Sequence, residues 1–272
     1  MNIGDFFKGL RIQPALIRVE KRVRFVIATL ILTFLMLLST FFFFDKAWLF
    51  IPLFILGVYF FTYSSILEGI EHSEWLMLFF IPVVFTISFY LFYFLFPVRW
   101  LTRVPFLVLY GISIYAILLT SNIFNVGVEK SLQLYRAAFS VNYLYQTIII
   151  FLVSNILFSA RENFLVNALV MGGVIFPLSL QLYWTIKLKL EVELELYLYS
   201  MLTSFFIAQL ALMFSFVPFK PTIMALFITA SYYSISGLVT AHLDSRLFKK
   251  TVREYLIALG IVACIALLTL NW

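Results

Sequence analysis

Charged side chains are scarce in this chain, at 12% of its 272 residues, and none lies deep in any of the long apolar runs. Proton- and ion-coupled transporters usually keep ionisable residues within the membrane, because charge movement needs acceptors there. A retinal protein would need a lysine inside a helix, and membrane haem would need a pair of intrahelical histidines. The two histidines here lie at the ends of runs. The sequence therefore disfavours these three classes and predicts no cofactor.

Cysteine and glycine are also rare. Cys264 is the only cysteine, which excludes an intramolecular disulfide and a thiolate metal cluster. The 10 glycines are about half of the average usage of roughly 7%. Transporters often break helices at the midplane with Gly or Pro. The clearest such interruption is Gly172 and Gly173 with Pro177, which we interpret as a candidate kink.

Hydrophobic residues make up 64% of the chain, well above the 45–50% that is roughly typical of soluble domains. A spanning helix needs about 20 apolar residues. We predict an all-α, polytopic transmembrane helix bundle of about nine spans, with eight as the alternative, joined by short loops. The membrane domain covers 25–272, and its runs are 25–44, 47–67, 75–96, 104–124, 137–160, 163–186, 196–217, 221–241 and 255–272.

Residues 1–24 precede the first run and mix basic with apolar side chains. A basic amphipathic helix lying on an anionic membrane surface fits this composition. The alternative is a positive anchor that only orients the first span.

The net charge of +6 does not indicate nucleic-acid binding, because Lys and Arg flank the apolar runs. With nine spans and the N-terminus inside, 14 of the 19 basic residues fall in inner segments and five in outer ones. The positive-inside rule then predicts a multi-pass protein of the plasma membrane with a cytoplasmic N-terminus. The expected surroundings are the lipid bilayer, with a protein partner or a second copy of the chain as further candidates.

An acidic cluster follows the second run. Glu68, Glu71 and His72 can share one helical face, and Glu and His at this spacing are ligands in helical carboxylate sites. His242 and Asp244, at the end of the eighth run, would complete a metal or acid–base site on the same side. The alternative is a hydrated turn that caps the third helix.

Polar uncharged residues form a stripe on the eighth run, with Thr229, Tyr233, Ser236 and Thr240 at helical spacing. The stripe either lines a pathway or lets helices pack closely, and packing is favoured. On the fifth run, Asn142 and Gln146 lie one turn apart and need buried partners. The candidate partners are Asn155, Gln181 and Gln209.

Two further patterns lie near run ends. Arg99, Arg103 and Arg136 are candidates for binding lipid headgroups, although most arginines at such positions are interface anchors. From Lys187 to Leu196 the residues alternate strictly between charged and apolar, which predicts an extended segment or short strand.

Three short stretches, PVRWL (97–101), NIFNV (122–126) and LYRAA (134–138), resemble a family of uncharacterised multi-pass membrane proteins from candidate-phylum bacteria. The resemblance covers about the third to fifth spans. It implies a location in a bacterial plasma membrane and does not imply any particular activity.

Three functions remain open from the sequence. The favoured one is a non-catalytic scaffold or subunit that acts through helix packing with a partner or lipid. The alternatives are a carrier of a lipid or lipophilic molecule, and a membrane enzyme that uses the Glu and His residues at the inner face.

Overall fold

A computed structural model describes residues 20–42, 47–66, 74–96, 100–126, 132–188 and 192–269. These residues form nine helices, each long and apolar enough to span a membrane. The prediction of an all-α bundle with nine spans is thus confirmed. The helices are α1 Lys21–Phe42, α2 Ala47–Ile66, α3 Glu74–Tyr93, α4 Trp100–Val126, α5 Leu132–Ala160, α6 Phe164–Lys187, α7 Leu194–Phe214, α8 Pro221–Leu243 and α9 Lys249–Leu268.

Short connections make sequential helices antiparallel neighbours. Helices α1 to α4 pack on one another, α5 joins this group to α6 and α8, and α7 packs on α6 and α8. The most extensive contact is the α6–α7 hairpin, while α8 is the only helix with which α9 packs extensively. We call the end where α1, α3, α5, α7 and α9 begin the basic end of the bundle.

Side chains cross between helices at the basic end of the first group. Arg24 is buried, and its Nη1 donates to the carbonyl oxygen of Ser64 at 3.2 Å. Asn125 donates to the carbonyl oxygen of Ile66 at 3.1 Å. Both acceptors lie in the last turn of α2, where helix carbonyls lack an intrahelical partner. These bonds tie α2 to α1 and α4 near the membrane boundary.

The candidate kink in α6 does not interrupt that helix, which is continuous through Gly172, Gly173 and Pro177. Instead, Gly172 lets α7 approach closely. A Cβ at this position would lie 3.3 Å from the Cβ of Ala208, and Ser204 donates to the Gly172 carbonyl oxygen at 2.7 Å. A small residue that admits a neighbouring backbone is a common device of membrane helix pairs.

The prediction of an extended segment from Lys187 to Leu196 is wrong at both ends. Lys187 is the last residue of α6, and α7 already begins at Leu194. Leu188 ends α6 in the left-handed conformation, and Glu193 is extended. Lys187 Nζ lies 2.6 Å from Glu193 Oε2 and 3.8 Å from Glu195 Oε2, so Lys187 pairs with glutamates at the start of α7.

Candidate functional site

The proposed metal or acid–base cluster falls partly outside the described residues, since Glu68, Glu71 and His72 lie there. Of its other members, His242 lies in the last turn of α8, with its ring 5.8 Å from that of Tyr199. Asp244 pairs with Arg246 at 3.2 Å. Within the part of the chain that the structure describes, no three potential ligands come together to hold a metal. The metal site stays a prediction.

The amides of α5 lie in a buried hydrogen-bonded cluster between α5, α6 and α8. Asn142 and Gln146 both donate to Gln181 Oε1, at 3.1 and 2.6 Å. The Tyr232 hydroxyl donates to Gln146 Oε1 at 2.7 Å. Of the candidate partners, Gln181 is the one that both amides contact, while Asn155 donates to a carbonyl of its own helix. The cluster therefore holds three helices together.

The stripe on α8 is mostly buried: Thr229, Ser236 and Thr240 are each less than 10% exposed, whereas Tyr233 is 38% exposed. The three hydroxyls donate to carbonyl oxygens of α8 itself, at 2.7, 2.6 and 2.9 Å. Tyr143 of α5 also donates to the Tyr233 carbonyl oxygen. The part of this face that lies farther from the basic end therefore packs against α5.

Nearer the basic end, the same face of α8 lines a cleft. The cleft has a volume of about 410 Å³. Small-molecule sites range over roughly 300–1,000 Å³. Its walls come from α5, α8, α9 and the end of α6, and its lining residues are Tyr135, Arg136, Phe139, Ser140, Ile186, Gly237, Thr240, Ala241, Asp244, Arg246, Thr251 and Tyr255.

The register of α5 against α8 fixes where the cleft's charges lie. The hydroxyl oxygens of Tyr143 and Ser236 lie 3.2 Å apart, and the two helices are antiparallel. Moving the same number of residues toward the basic end leads to Arg136 on α5 and to Leu243, beside Asp244, on α8. Arg136, Asp244 and Arg246 therefore mark the mouth. At about 1.5 Å per residue, the inner end at Gly237 lies about 10 Å deeper.

Charge at the mouth is unbalanced. Arg246 Nε contacts Asp244 Oδ2 at 3.2 Å, and both side chains are about half exposed. Among the described residues, no carboxylate forms an ion pair with Arg136. Two guanidinium groups thus face one carboxylate. An unpaired cation at the end of a membrane helix favours an anionic ligand.

The inner part of the cleft depends on a close contact between α8 and α9. The Tyr255 ring lies directly over Gly237, where a Cβ would fall 2.6 Å from the tyrosine oxygen and closer still to the ring. Ser234 donates to the Tyr255 carbonyl oxygen at 3.1 Å, and the rings of Tyr233 and Tyr255 are 5.4 Å apart. With Phe139, the Tyr255 ring gives the deeper wall an apolar character.

The other predicted headgroup arginines lie elsewhere. Arg99 is outside the described residues. Arg103 is near the start of α4, at the end opposite the cleft, with its guanidinium 4.7 Å from the centre of the Phe41 ring. Of the two described arginines, only Arg136 lines the cleft.

Sequence reasoning singled out Arg136, Asp244 and Thr240 in three separate contexts and did not join them. It missed Arg246, Thr251 and Tyr255 altogether. The aromatic and hydroxyl side chains that start α9 carry no local motif, so only the packing of α9 on α8 relates them to α5.

No family model matches the chain, and no curated protein or solved structure matches it either. The resemblance to a family of candidate-phylum bacteria therefore stays a prediction. The fold and the cleft define an integral membrane protein with nine candidate spans in its described part and a cleft open at one end of the bundle.

Proposed function

We propose that this integral membrane protein binds a lipid-like amphiphile in the cleft between α5, α8 and α9 and acts as a lipid carrier. The observation that carries the proposal is the cleft itself, with arginines at its mouth and apolar side chains deeper in. A molecule with a polar head and an apolar tail matches that order. Its tail would leave between α5 and α9, along helix surfaces that already face lipid.

The position of the cleft supports a ligand drawn from the membrane. Its lining residues come from the first two to three turns of α5 and α9, from the last two turns of α8 and from the end of α6. Charged residues at such helix ends lie at headgroup level, because the hydrocarbon core excludes them. A headgroup could therefore enter the mouth without crossing the apolar interior.

Filling the cleft tests the binding function. Ser140 lines the cleft, and Leu144, one turn further along α5, is 57% exposed on the bundle surface. We expect Ser140→Phe to lose a lipid that copurifies with the wild-type protein in native mass spectrometry. Leu144→Phe adds a ring of the same kind outside the cleft and should keep that lipid.

Equal lipid retention in the two variants would contradict binding in the cleft. The carrier activity is then measured separately, by movement of a fluorescent phospholipid between leaflets of reconstituted vesicles. Wild type and Leu144→Phe should accelerate this movement, and Ser140→Phe should not. Lipid binding without acceleration would limit the function to a lipid-binding subunit.

A second candidate function, a non-catalytic subunit that packs against a second copy, is favoured by the exposure of α9. Only 6% of the residues in its apolar stretch are buried, and Leu256 and Ile261 are each more than half exposed. Cys264 is also exposed on α9 and is the only cysteine of the chain. Oxidative crosslinking in native membranes therefore reports contacts between copies. A chain that stays monomeric would count against this function.

For the orientation, we propose that the basic end faces the cytoplasm of a plasma membrane. In the described ranges, nine basic residues lie at the basic end and three at the other. The nine are Lys21, Arg22, Arg24, Arg136, Lys187, Arg246, Lys249, Lys250 and Arg253, and the three are Arg103, Arg161 and Lys220. This bias supports the positive-inside assignment.

Labelling of intact cells tests this orientation. In a Cys264→Ser background, a membrane-impermeant maleimide should label Lys220→Cys and leave Lys250→Cys unlabelled until the cells are opened. The reverse pattern would contradict the orientation.

A further inference from the structure

We propose that the cleft selects a phosphodiester headgroup that carries one net negative charge and no ammonium group, as in an anionic phospholipid. This inference rests on the proposed lipid-binding function and adds the chemical class of the ligand. It follows from the charges, the hydrogen-bond donors and the depth of the cleft.

The charge balance of the mouth sets the charge of the ligand. Arg136 and Arg246 contribute two positive charges, and Asp244 contributes one negative charge that Arg246 already contacts. One positive charge is therefore left for a ligand, which matches the single negative charge of a phosphodiester. A zwitterionic headgroup would also bring an ammonium group close to both guanidinium groups.

The hydrogen-bonding groups of the cleft also favour an acceptor-rich ligand. The hydroxyls of Ser140 and Thr240 already donate to helix carbonyls, at 3.0 and 2.9 Å. Tyr135 donates to the Thr185 carbonyl oxygen. The donors that remain among the lining side chains are those of the two guanidinium groups, which bind phosphate oxygens in pairs, and the hydroxyls of Thr251 and Tyr255.

The geometry separates the parts of such a ligand. The arginines lie at the mouth, and the Tyr255 ring and Phe139 line the deeper wall. A phosphate held at the mouth would leave its glycerol and acyl parts against these rings and in the gap between α5 and α9. A free phosphate compound would occupy only the mouth, so the two sources of phosphate can be told apart.

The experiment compares three probes on the purified full-length chain: phosphatidylglycerol, phosphatidylethanolamine and soluble glycerophosphoglycerol, which is the phosphodiester headgroup without acyl chains. Retention of each lipid is measured by native mass spectrometry, and stabilisation by each probe is measured as the shift in apparent Tm. We expect wild type to prefer phosphatidylglycerol over phosphatidylethanolamine by about tenfold, the order of one charge-assisted interaction. Glycerophosphoglycerol should give no comparable stabilisation.

Three variants test whether the preference for phosphatidylglycerol arises in the cleft. Arg136→Gln should lose it, because the uncompensated guanidinium is gone. Arg253→Gln, which removes the same charge from an exposed position outside the lining of the cleft, should keep it. Asp244→Asn should strengthen the preference, since it leaves both guanidinium groups uncompensated.

The outcomes that would overturn the inference are specific. Equal retention of the two lipids would overturn charge selection, and equal losses in Arg136→Gln and Arg253→Gln would reduce it to general surface charge. A weaker preference in Asp244→Asn would contradict the charge balance at the mouth from which the selection is inferred. Stabilisation by glycerophosphoglycerol alone would overturn the lipid source. If neither lipid is retained and Ser140→Phe behaves as wild type, the proposed function itself fails.

Discussion

Replacing Gly237 with alanine should displace Tyr255 and weaken the attachment of α9. The added Cβ would lie 2.6 Å from the tyrosine oxygen and closer still to the ring carbons. Carbon atoms prefer separations of about 3.5–4.0 Å, so the ring tip must move by about 1 Å or more. The ring is at the open side of α8, which lets it swing into the cleft instead of forcing the helices apart.

The expected cost follows from overpacking, which typically lies at about 1–3 kcal/mol. Because the contact is made by a side-chain tip, we expect about 1 kcal/mol, equivalent to a fall in apparent Tm of about 2–4 °C. A glycine-to-alanine change also has its own effect on a helix, of roughly 0.5–1 kcal/mol in the stabilising direction. Gly260→Ala controls for it, because nothing lies within 4 Å of a Cβ there.

The assay is thermal unfolding of the full-length protein in one detergent, followed by tryptophan fluorescence. The variants are Gly237→Ala, Gly260→Ala, Tyr255→Ala and the double variant Gly237→Ala with Tyr255→Ala. Removing the tyrosine ring removes the clash, so the double variant should be no less stable than Tyr255→Ala alone. If Gly237→Ala behaves as Gly260→Ala does, or if the two changes are simply additive, the contact does not attach α9 and our reasoning is wrong.

Two further predictions concern the packed part of the bundle. Gln181→Leu removes the acceptor shared by the two buried amides of α5, so we expect a loss of about 1–2 kcal/mol, measured as a lower Tm. Its control is Gln209→Leu, at an exposed position on α7. Gly172→Leu should disrupt the α6–α7 hairpin and lower the yield of folded protein in size-exclusion chromatography, whereas Gly173→Leu points into open space and should not. Equal effects within either pair would contradict the corresponding contact.

The number and type of the helices could be predicted because a membrane span is defined by the length of its own apolar run. The starts of helices were less predictable. Helix α9 begins at Lys249, whereas its apolar run was placed from 255. The intervening turn is charged and still helical, with Lys250 and Glu254 at i,i+4 and 3.9 Å apart. Hydropathy gives the extent of the apolar part and omits such polar first turns.

The amide cluster was partly predictable for a similar reason. A buried amide in lipid must find a partner, so Asn142 and Gln146 imply a third polar side chain nearby. The sequence offered three candidates, and only the packing of α6 on α5 selects Gln181. The cleft was not predictable, because its inner wall depends on Tyr255 meeting a glycine 18 residues earlier in the chain. The local sequence pattern of neither helix predicts that contact.

The glycine at 237 also connects the stability of α9 to occupation of the cleft. The same Tyr255 ring attaches α9 to α8 and forms the deeper wall of the cleft. A ligand that contacts this ring adds interactions that exist only while α9 is in place, so binding stabilises the attached state. By the same linkage, loosening α9 must weaken binding of that ligand. Helix α9 is largely exposed, with 6% of its apolar stretch buried, so few other contacts hold it in position. A change in ligand binding should therefore change the attachment of α9 measurably.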